Sequence, residues 1–446
     1  MCRVSTAPSA ESDPAREVVD ICRDLIRIDT SNYGDDPRSS ERQAAEHVAG
    51  LMTEVGLDVE LVESAPGRTS AFARWAGTDP DAPALLLHGH LDVVPANADD
   101  WTFPPFAGEV ADDGGTPMLW GRGAVDMKDM DAMILSVLRD RVRTGRRCRR
   151  PLVIAMLADE ESGGGLGSHW LVEHRPDLFE GVDVAIGEVG GFSYTVGDDR
   201  RLYLVEAAEK GISWMRLEAL GRAGHGSMVN HENAVTRLAE TVARIGTHEF
   251  PITMTSTVER LLSELRSALD LPADTPPQDV VDRLGPIAPM IGATLRHSAA
   301  PTMLEAGYKT NVIPGAASAV VDGRFLPGRR EEFLATIDGL LGPGVTRTSI
   351  VDDIALEAPF EGPVVDAMVA ALLEHDPSAR AVPYTLSGGT DAKAFADLGI
   401  VGYGFAPLRL PPTLAFADLF HGVDERVPLD ALEFGARVLD RFLDLV

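Results

Sequence analysis

The chain has 446 residues, 45% hydrophobic and 24% charged, an ordinary globular composition but too much for one core, so two domains are expected. With 40 basic against 69 acidic residues the formal charge is −29, which argues against nucleic acid or an anionic membrane as a partner, since both require a basic face. Cys2, Cys22 and Cys148 are widely spaced and form no CxxC pair, so no disulfide framework is indicated and a reducing compartment fits. The polar stretch Met1 to Ala15 has no apolar leader and no 18-residue apolar run occurs, so a cytoplasmic location is expected.

Residues 15–60 read as helical, from Val18, Val19, Cys22, Leu25 and Ile26 at helical spacing and a second periodic run from Ala44 to Val55. Strands are expected at Ala71–Trp75, Ala84–His90, Leu152–Leu157 and Val182–Ile186. A helix carrying Met130, Met133, Ile134, Val137 and Leu138 falls between the second and third of these. Such alternation implies βαβ units and a largely parallel sheet, and the near-continuous apolar strands fit a sheet covered on both faces. Seven arginines between Arg139 and Arg150 read as a solvated loop at a helix C-terminus, where the dipole favours cations.

The pattern changes near Ala207. A strand-like Ile212–Leu220, a helix over Ala234–Ile245, a Pro- and acid-rich stretch at Leu271–Asp279 and a strand pair near Thr310–Arg324 read as an inserted α+β domain. The expected division is 1–207 and 328–446 for one domain, 208–327 for the insertion, with a last helix from Leu429 to Leu445.

Four segments carry chemistry. The buried strand Leu85-Leu86-Leu87-His88-Gly89-His90 ends with Asp92 two residues on, and a metal-binding imidazole needs such an orienting partner. Gly121-Arg122-Gly123-Ala124-Val125-Asp126 sets Asp126 at a helix entry, as N-cap or as ligand. Behind the strand Leu152–Leu157 stand three consecutive acids, Asp159, Glu160 and Glu161, which persist together where a cation neutralises them or one works as a base. Glu188 follows the strand Val182–Ile186, and His421-Gly422-Val423-Asp424-Glu425 brings a histidine from the far end. In an open α/β sheet ligands bind beyond the carboxyl ends of the strands, so these side chains can converge. Two histidines and several carboxylates without thiolate suit zinc, cobalt or manganese, and two such metals would activate a water.

In these motifs the sequence resembles the M20 family of metallopeptidases and amidohydrolases, from about residue 15 to the C-terminus. The resemblance implies an α/β fold: a zinc-peptidase-type catalytic domain with a mainly parallel sheet, interrupted by an α+β lid that often dimerises. Asp126 matches the bridging carboxylate, with a cis peptide to Met127; His90 and Glu188 match one metal site, Glu161 and His421 the other. Glu160 matches the general base and Asp92 the partner of His90. In the lid, Gly221-Arg222-Ala223-Gly224-His225 resembles the motif whose histidine stabilises an oxyanion, while Asn311 and Arg324 match a pair gripping the substrate. Ser387-Gly388-Gly389-Thr390-Asp391 resembles a pocket-lining loop that would place Gly388, Gly389 and Thr390 against substrate.

The implied activity is hydrolysis of an amide beside a free carboxylate, in a dipeptide or an N-acyl amino acid, by two divalent cations, zinc first and cobalt or manganese as alternatives. A homodimer through the lid is implied as well. A desuccinylase or deacetylase acting on succinyl-diaminopimelate or acetylornithine is the alternative branch. A non-catalytic small-ligand-binding member of the fold is a third reading, against which the presence of Glu160 speaks.

Overall fold

The computed structural model describes residues 12–197 and 200–446; Cys2 and most of the N-terminal stretch lie outside these. The chain forms two compact units, one comprising the residues up to Glu206 with Ala358–Pro383 and Thr390–Val446, the other Ala207–Glu357 with Tyr384–Gly389. Among the described residues no helix is long and apolar enough to cross a membrane.

The sheet of the first unit has a parallel centre and antiparallel flanks. The strand Ala84–His90 lies between Leu152–Leu157 and Val182–Gly187, parallel to both, and Val401–Gly404 continues the parallel run. Arg68–Trp75 and Val59–Ala65 extend one side antiparallel, and Arg200–Glu209 continues the other. Leu85, Leu86 and Leu87 are all buried because both faces are covered. Leu86 joins Val153, Leu171, Phe179 and Phe395 on one face, and on the other Gly89 packs against Met127 and Asp131 of the region entering the helix Lys128–Thr144. Each fully buried leucine contributes about 1.5–3 kcal/mol. A Cβ at Gly89 would fall 2.1 Å from Asp131 Oδ1, so glycine sets how closely helix and sheet approach there.

That helix is buried from Lys128 to Arg141 and ends at Gly145 in the left-handed region (φ 72°). Lys128 Nζ donates to the carbonyls of Leu25 (3.0 Å) and Ile28 (2.9 Å), which end the helix Val18–Ile26. The arginines from Arg139 to Arg150 are only in part the solvated loop expected: Arg143, Arg147 and Arg149 are exposed, whereas Arg139 and Arg141, within the helix, and Arg150 after it are buried. Arg141 is fully buried, with Nε 2.6 Å from Asp440 Oδ1 and a further bond to Asp444. Arg139 pairs with Glu17 and Glu54, and Arg150 with Asp183 and the carbonyls of Pro83 and Ala84. Acidic partners far along the chain take the guanidinium groups out of water, and residue spacing within the cluster does not reveal them.

Other departures are local. The stretch 15–60 forms two helices, Val18–Ile26 and Arg42–Glu54, followed by the strand Val59–Ala65. The hairpin of Glu109–Asp113 with Thr116–Trp120 and the strands Phe192–Val196 and Arg200–Glu209 had no counterpart in the periodicity.

The second unit is α+β. Its antiparallel sheet runs Ser298–Ala306, Ala316–Phe325, Gly211–Leu220, Val345–Asp353. One face packs Met215, Leu217, Val321 and Phe325 against Leu238 and Ile245 of the helix Ala234–Gly246 and Phe333 and Ile337 of Arg330–Leu340. The unit therefore runs to Glu357 rather than to 327, because Val345–Asp353 is an edge strand of its sheet, paired from Ala219↔Val345 to Ile212↔Asp353. Near 310–324, Val312–Ile313 pairs with Gly224–His225, and Ala316–Phe325 pairs elsewhere, so the two are not partners.

Candidate active site

Three parallel strands deliver the site. Pairing of His90 with Leu157 and of Leu87 with Ile186 puts the ends of Ala84–His90, Leu152–Leu157 and Val182–Gly187 at one edge, where His90, the Asp159-Glu160-Glu161 run and Glu188 emerge. Asp126 precedes the helix Lys128–Thr144, and its peptide bond to Met127 is cis. His421 arrives on the loop before the strand Arg426–Pro428, in a left-handed conformation (φ 57°).

Asp126 stands between the two histidines. His90 Nε2 lies 3.1 Å from its Oδ1 and His421 Nε2 3.1 Å from its Oδ2. His90 Nε2 is also 3.5 Å from Glu188 Oε2 and 3.9 Å from Glu160 Oε2, while His421 Nε2 is 3.1 Å from Glu161 Oε2. His90, Asp126 and Glu161 form one group able to hold a metal ion, and His90, Glu160 and Glu188 form another.

The electrostatics are those of carboxylates and imidazoles crowded into one largely buried centre. Burial, then Glu188, raises the Glu160 carboxyl well above the usual carboxylate range. Burial pushes Glu188 up to about 8 and raises Glu161 too, where Asp126 adds repulsion. Burial of His90 opposes protonation, but Glu188, Asp126 and Glu160 together lift it well above the ordinary imidazole value. Hydrogen bonds to Asp126 and Glu161 raise His421 to about 10. Burial works against ionised Asp126, yet bonds from His421 and His90 hold it low. Glu161 Oε1 is buried without a hydrogen-bond partner. Mixed imidazole and carboxylate donors with an unpartnered oxygen fit divalent cations, which would replace the protons that otherwise bind these groups together.

Around this centre two carboxylates organise backbone. Asp92 is the partner of His90 as expected, through its backbone carbonyl. The closer acceptor of His90 Nδ1 is the Asp92 carbonyl at 2.9 Å, with the carboxylate at 3.7 Å. That carboxylate instead accepts the amides of Glu160 (3.1 Å) and Glu161 (3.0 Å). Glu425, which the sequence reading did not single out, accepts from Gly123, Val125 and Asp126 amides and from Arg122 Nη1 (2.7 Å), fixing the approach to Asp126. Its only signal was its place four residues after His421.

In the second unit, His225 is exposed, its Nδ1 2.8 Å from Ser227 Oγ. It pairs with Val312, and Gly226 N donates to Asn311 O, so His225 and Asn311 share one short ribbon. Arg324 engages Asp322 with two parallel bonds of 2.7 and 3.0 Å. Gly388 and Gly389 belong to this unit, and Thr390, a buried residue, to the first.

Fold and site together define a hydrolase with a metal-type centre at the carboxyl edge of an α/β sheet. The sequence profile of peptidase family M20/M25/M40 matches residues 86–445, and the chain belongs to that family of hydrolytic enzymes. It is 26% identical over 439 residues to the N-fatty-acyl-amino acid synthase/hydrolase PM20D1 of Xenopus tropicalis, covering 94% of this chain and 83% of that protein. It is 28% identical to aminoacylase-1 of Sus scrofa, covering 92% and 90%. Among solved structures, the M20 family metallo-carboxypeptidase Sso-CP2 of Sulfolobus solfataricus superimposes with a TM-score of 0.71 at 16% identity, covering 96% and 99%, which shows a shared fold.

Proposed function

We propose that the protein hydrolyses an amide or peptide bond next to a free carboxylate, in N-acyl amino acids or dipeptides, with Glu160 as general base. One observation carries the reading: Glu160, half-buried, stands 3.9 Å from His90 with its carboxyl raised well above the usual carboxylate range by its surroundings, while its neighbour Glu161 faces His421. In this reading the consecutive residues divide between a base and a ligand. The names of the relatives, an aminoacylase and a fatty-acyl-amino acid hydrolase, support the N-acyl class.

In this proposal His90, Asp126 and Glu188 hold one divalent cation and Asp126, Glu161 and His421 a second, zinc before cobalt or manganese. When bound, the cations would polarise the scissile carbonyl and acidify the attacking water. Glu160 takes the water's proton on its carboxylate and returns it to the leaving amine. Asp92 keeps Glu160 in place through its backbone amide. His225 supplies an oxyanion donor. Arg324 takes the substrate carboxylate in exchange for Asp322, with Asn311 and the Gly388-Gly389-Thr390 loop lining the remainder. A homodimer through the second unit belongs to the same proposal and is tested by sedimentation.

The deciding experiment measures hydrolysis of N-acyl amino acids, dipeptides, N-acetylornithine and N-succinyl-diaminopimelate by metal-free protein before and after zinc or cobalt addition. Metal-restored cleavage of the first two classes is expected. Preference for the last two moves the protein to the deacylase branch, and silence across the panel overturns the proposal.

A further inference from the structure

The Asp92 carboxylate that holds the Glu160 and Glu161 amides is itself held by a buried polar chain reaching back to the N-terminal helices. Asn32 Nδ2 donates to Asp92 Oδ2 at 2.8 Å and to Asp159 Oδ1 at 3.2 Å. Asn32 Oδ1 accepts from Arg68 Nη2 (2.9 Å), Ser162 Oγ (2.9 Å) and the Gly34 amide (2.9 Å). Three donors on one atom settle which way the Asn32 amide faces, since its nitrogen cannot accept from any of them. Both Nδ2 hydrogens are then committed to two carboxylates at the ends of neighbouring parallel strands. Arg68 is fixed in turn by Glu41 at 2.5 Å, the Gly34 carbonyl at 2.7 Å and Asp159 at 3.2 Å. Asn32, Glu41, Arg68, Asp92 and Asp159 are all buried, so these bonds work in a low-dielectric interior where each missing partner is costly.

We infer that Asn32, oriented by Arg68, is a positioning residue for the base and its neighbouring ligand, an assignment that rests on the hydrolase reading above. Asp92 and Asp159 face each other as like charges, and Asn32 is the neutral donor that bridges them. Without it Asp92 turns away from Asp159, releases the Glu160 and Glu161 amides together, and loosens the base and one metal ligand in a single event. Glu160 and Glu161 lie in a one-turn 3-10 segment closed at its carbonyls by the Gly163 and Gly164 amides (2.7 and 2.8 Å), while the Glu160 and Glu161 amides at its start bond the Asp92 carboxylate.

The test compares wild type, Asn32→Ala and Ser162→Ala in the full chain. Ser162→Ala removes one of the three donors to Asn32 Oδ1 and serves if Asn32→Ala does not fold. Two readouts are taken: kcat and KM on the best substrate, and stepwise cobalt titration followed by visible absorption. Asn32→Ala is expected to lower kcat about 10–100-fold with KM nearly unchanged, and to weaken one class of cobalt site by about 10-fold or more, the range for residues that orient metal ligands. Ser162→Ala should move both in the same direction by less. Wild-type kcat and wild-type cobalt affinity in both variants overturn the inference. A wild type that binds cobalt but cleaves nothing defeats the hydrolase reading instead, and the titration still decides the role of Asn32.

Discussion

The imidazole of His421 and the carboxylate of Asp126 meet at 3.1 Å, although they lie far apart in the sequence. Asp126 meets His90 at the same distance through its other oxygen, so one carboxylate joins both halves of the centre. Chelation of bound metal is therefore expected to abolish activity and to lower the Tm. Ions that bind only the folded state stabilise it by about 2.7 kcal/mol at a hundredfold excess over Kd. His421→Ala should reduce metal content from two equivalents toward one, measured by elemental analysis.

Glu160 and Glu161 are adjacent but face different partners. Glu160→Gln keeps shape and removes proton acceptance, so kcat should fall by about 10²–10⁴-fold with metal content unchanged. Glu161→Gln should instead lose metal. Equal metal loss in both variants would sink the division of roles.

The two bonds from Arg324 to Asp322 leave its guanidinium already engaged. If a substrate carboxylate takes over that fork, Arg324→Met raises KM about 10-fold or more while kcat changes little, the pattern of lost uniform binding. Asp322→Asn should lower KM by freeing the fork. Steady-state kinetics on one N-acyl amino acid distinguishes these outcomes.

Arg141 is buried against Asp440 and Asp444 of the C-terminal helix. Arg141→Met removes the buried partner of those carboxylates and leaves them to Arg146, 3.0 Å from each, and is expected to cost about 1–3 kcal/mol, seen as a lower denaturant midpoint. Since Arg141 touches nothing in the candidate site, kcat at low temperature should stay near wild type.

Burial lowers the His297 imidazole to about 4, with its Nδ1 accepting the Leu326 amide at 3.1 Å. The unfolded chain, near 6.5, then binds more protons than the folded one between pH 6.5 and 4. The contribution of neutral His297 is fully present above pH 6.5 and is lost as pH falls toward 4, by on the order of 1–3 kcal/mol. His297→Asn keeps an acceptor without titrating there and should flatten that part of the curve. Urea midpoints at pH 7, 5.5 and 4.5 provide the comparison.

The alternation of apolar strands with helices was readable because the innermost strands are buried on both faces and so carry unbroken apolar runs, as at Leu85–Leu87 and Leu152–Leu157. The flanking strands Val59–Ala65 and Glu109–Asp113 were not readable, since they are half-exposed and carry mixed side chains whose pairing supplies their order. The thirty residues by which the second unit exceeds its expected end belong to it through hydrogen bonds to Gly211–Leu220, a long-range pairing with no local signature.

The site divides in the same way. Sequence alone singled out the residues to which the proposal assigns the chemistry, because His90, Asp126, Glu160, Glu161, Glu188 and His421 sit in short motifs where acids and histidines follow apolar strands or glycine turns. It did not determine that the Asp92 carboxylate serves the Glu160 and Glu161 amides, nor that Asn32, Arg68 and Glu41 stand behind it. Nor did it determine that Arg141, in the last turn of the helix Lys128–Thr144, closes on acids of the C-terminal helix. A ligand's identity is a property of its own side chain and near neighbours. A hydrogen-bond partner is fixed only when parallel strands bring remote loops to one edge, and that is decided by tertiary packing.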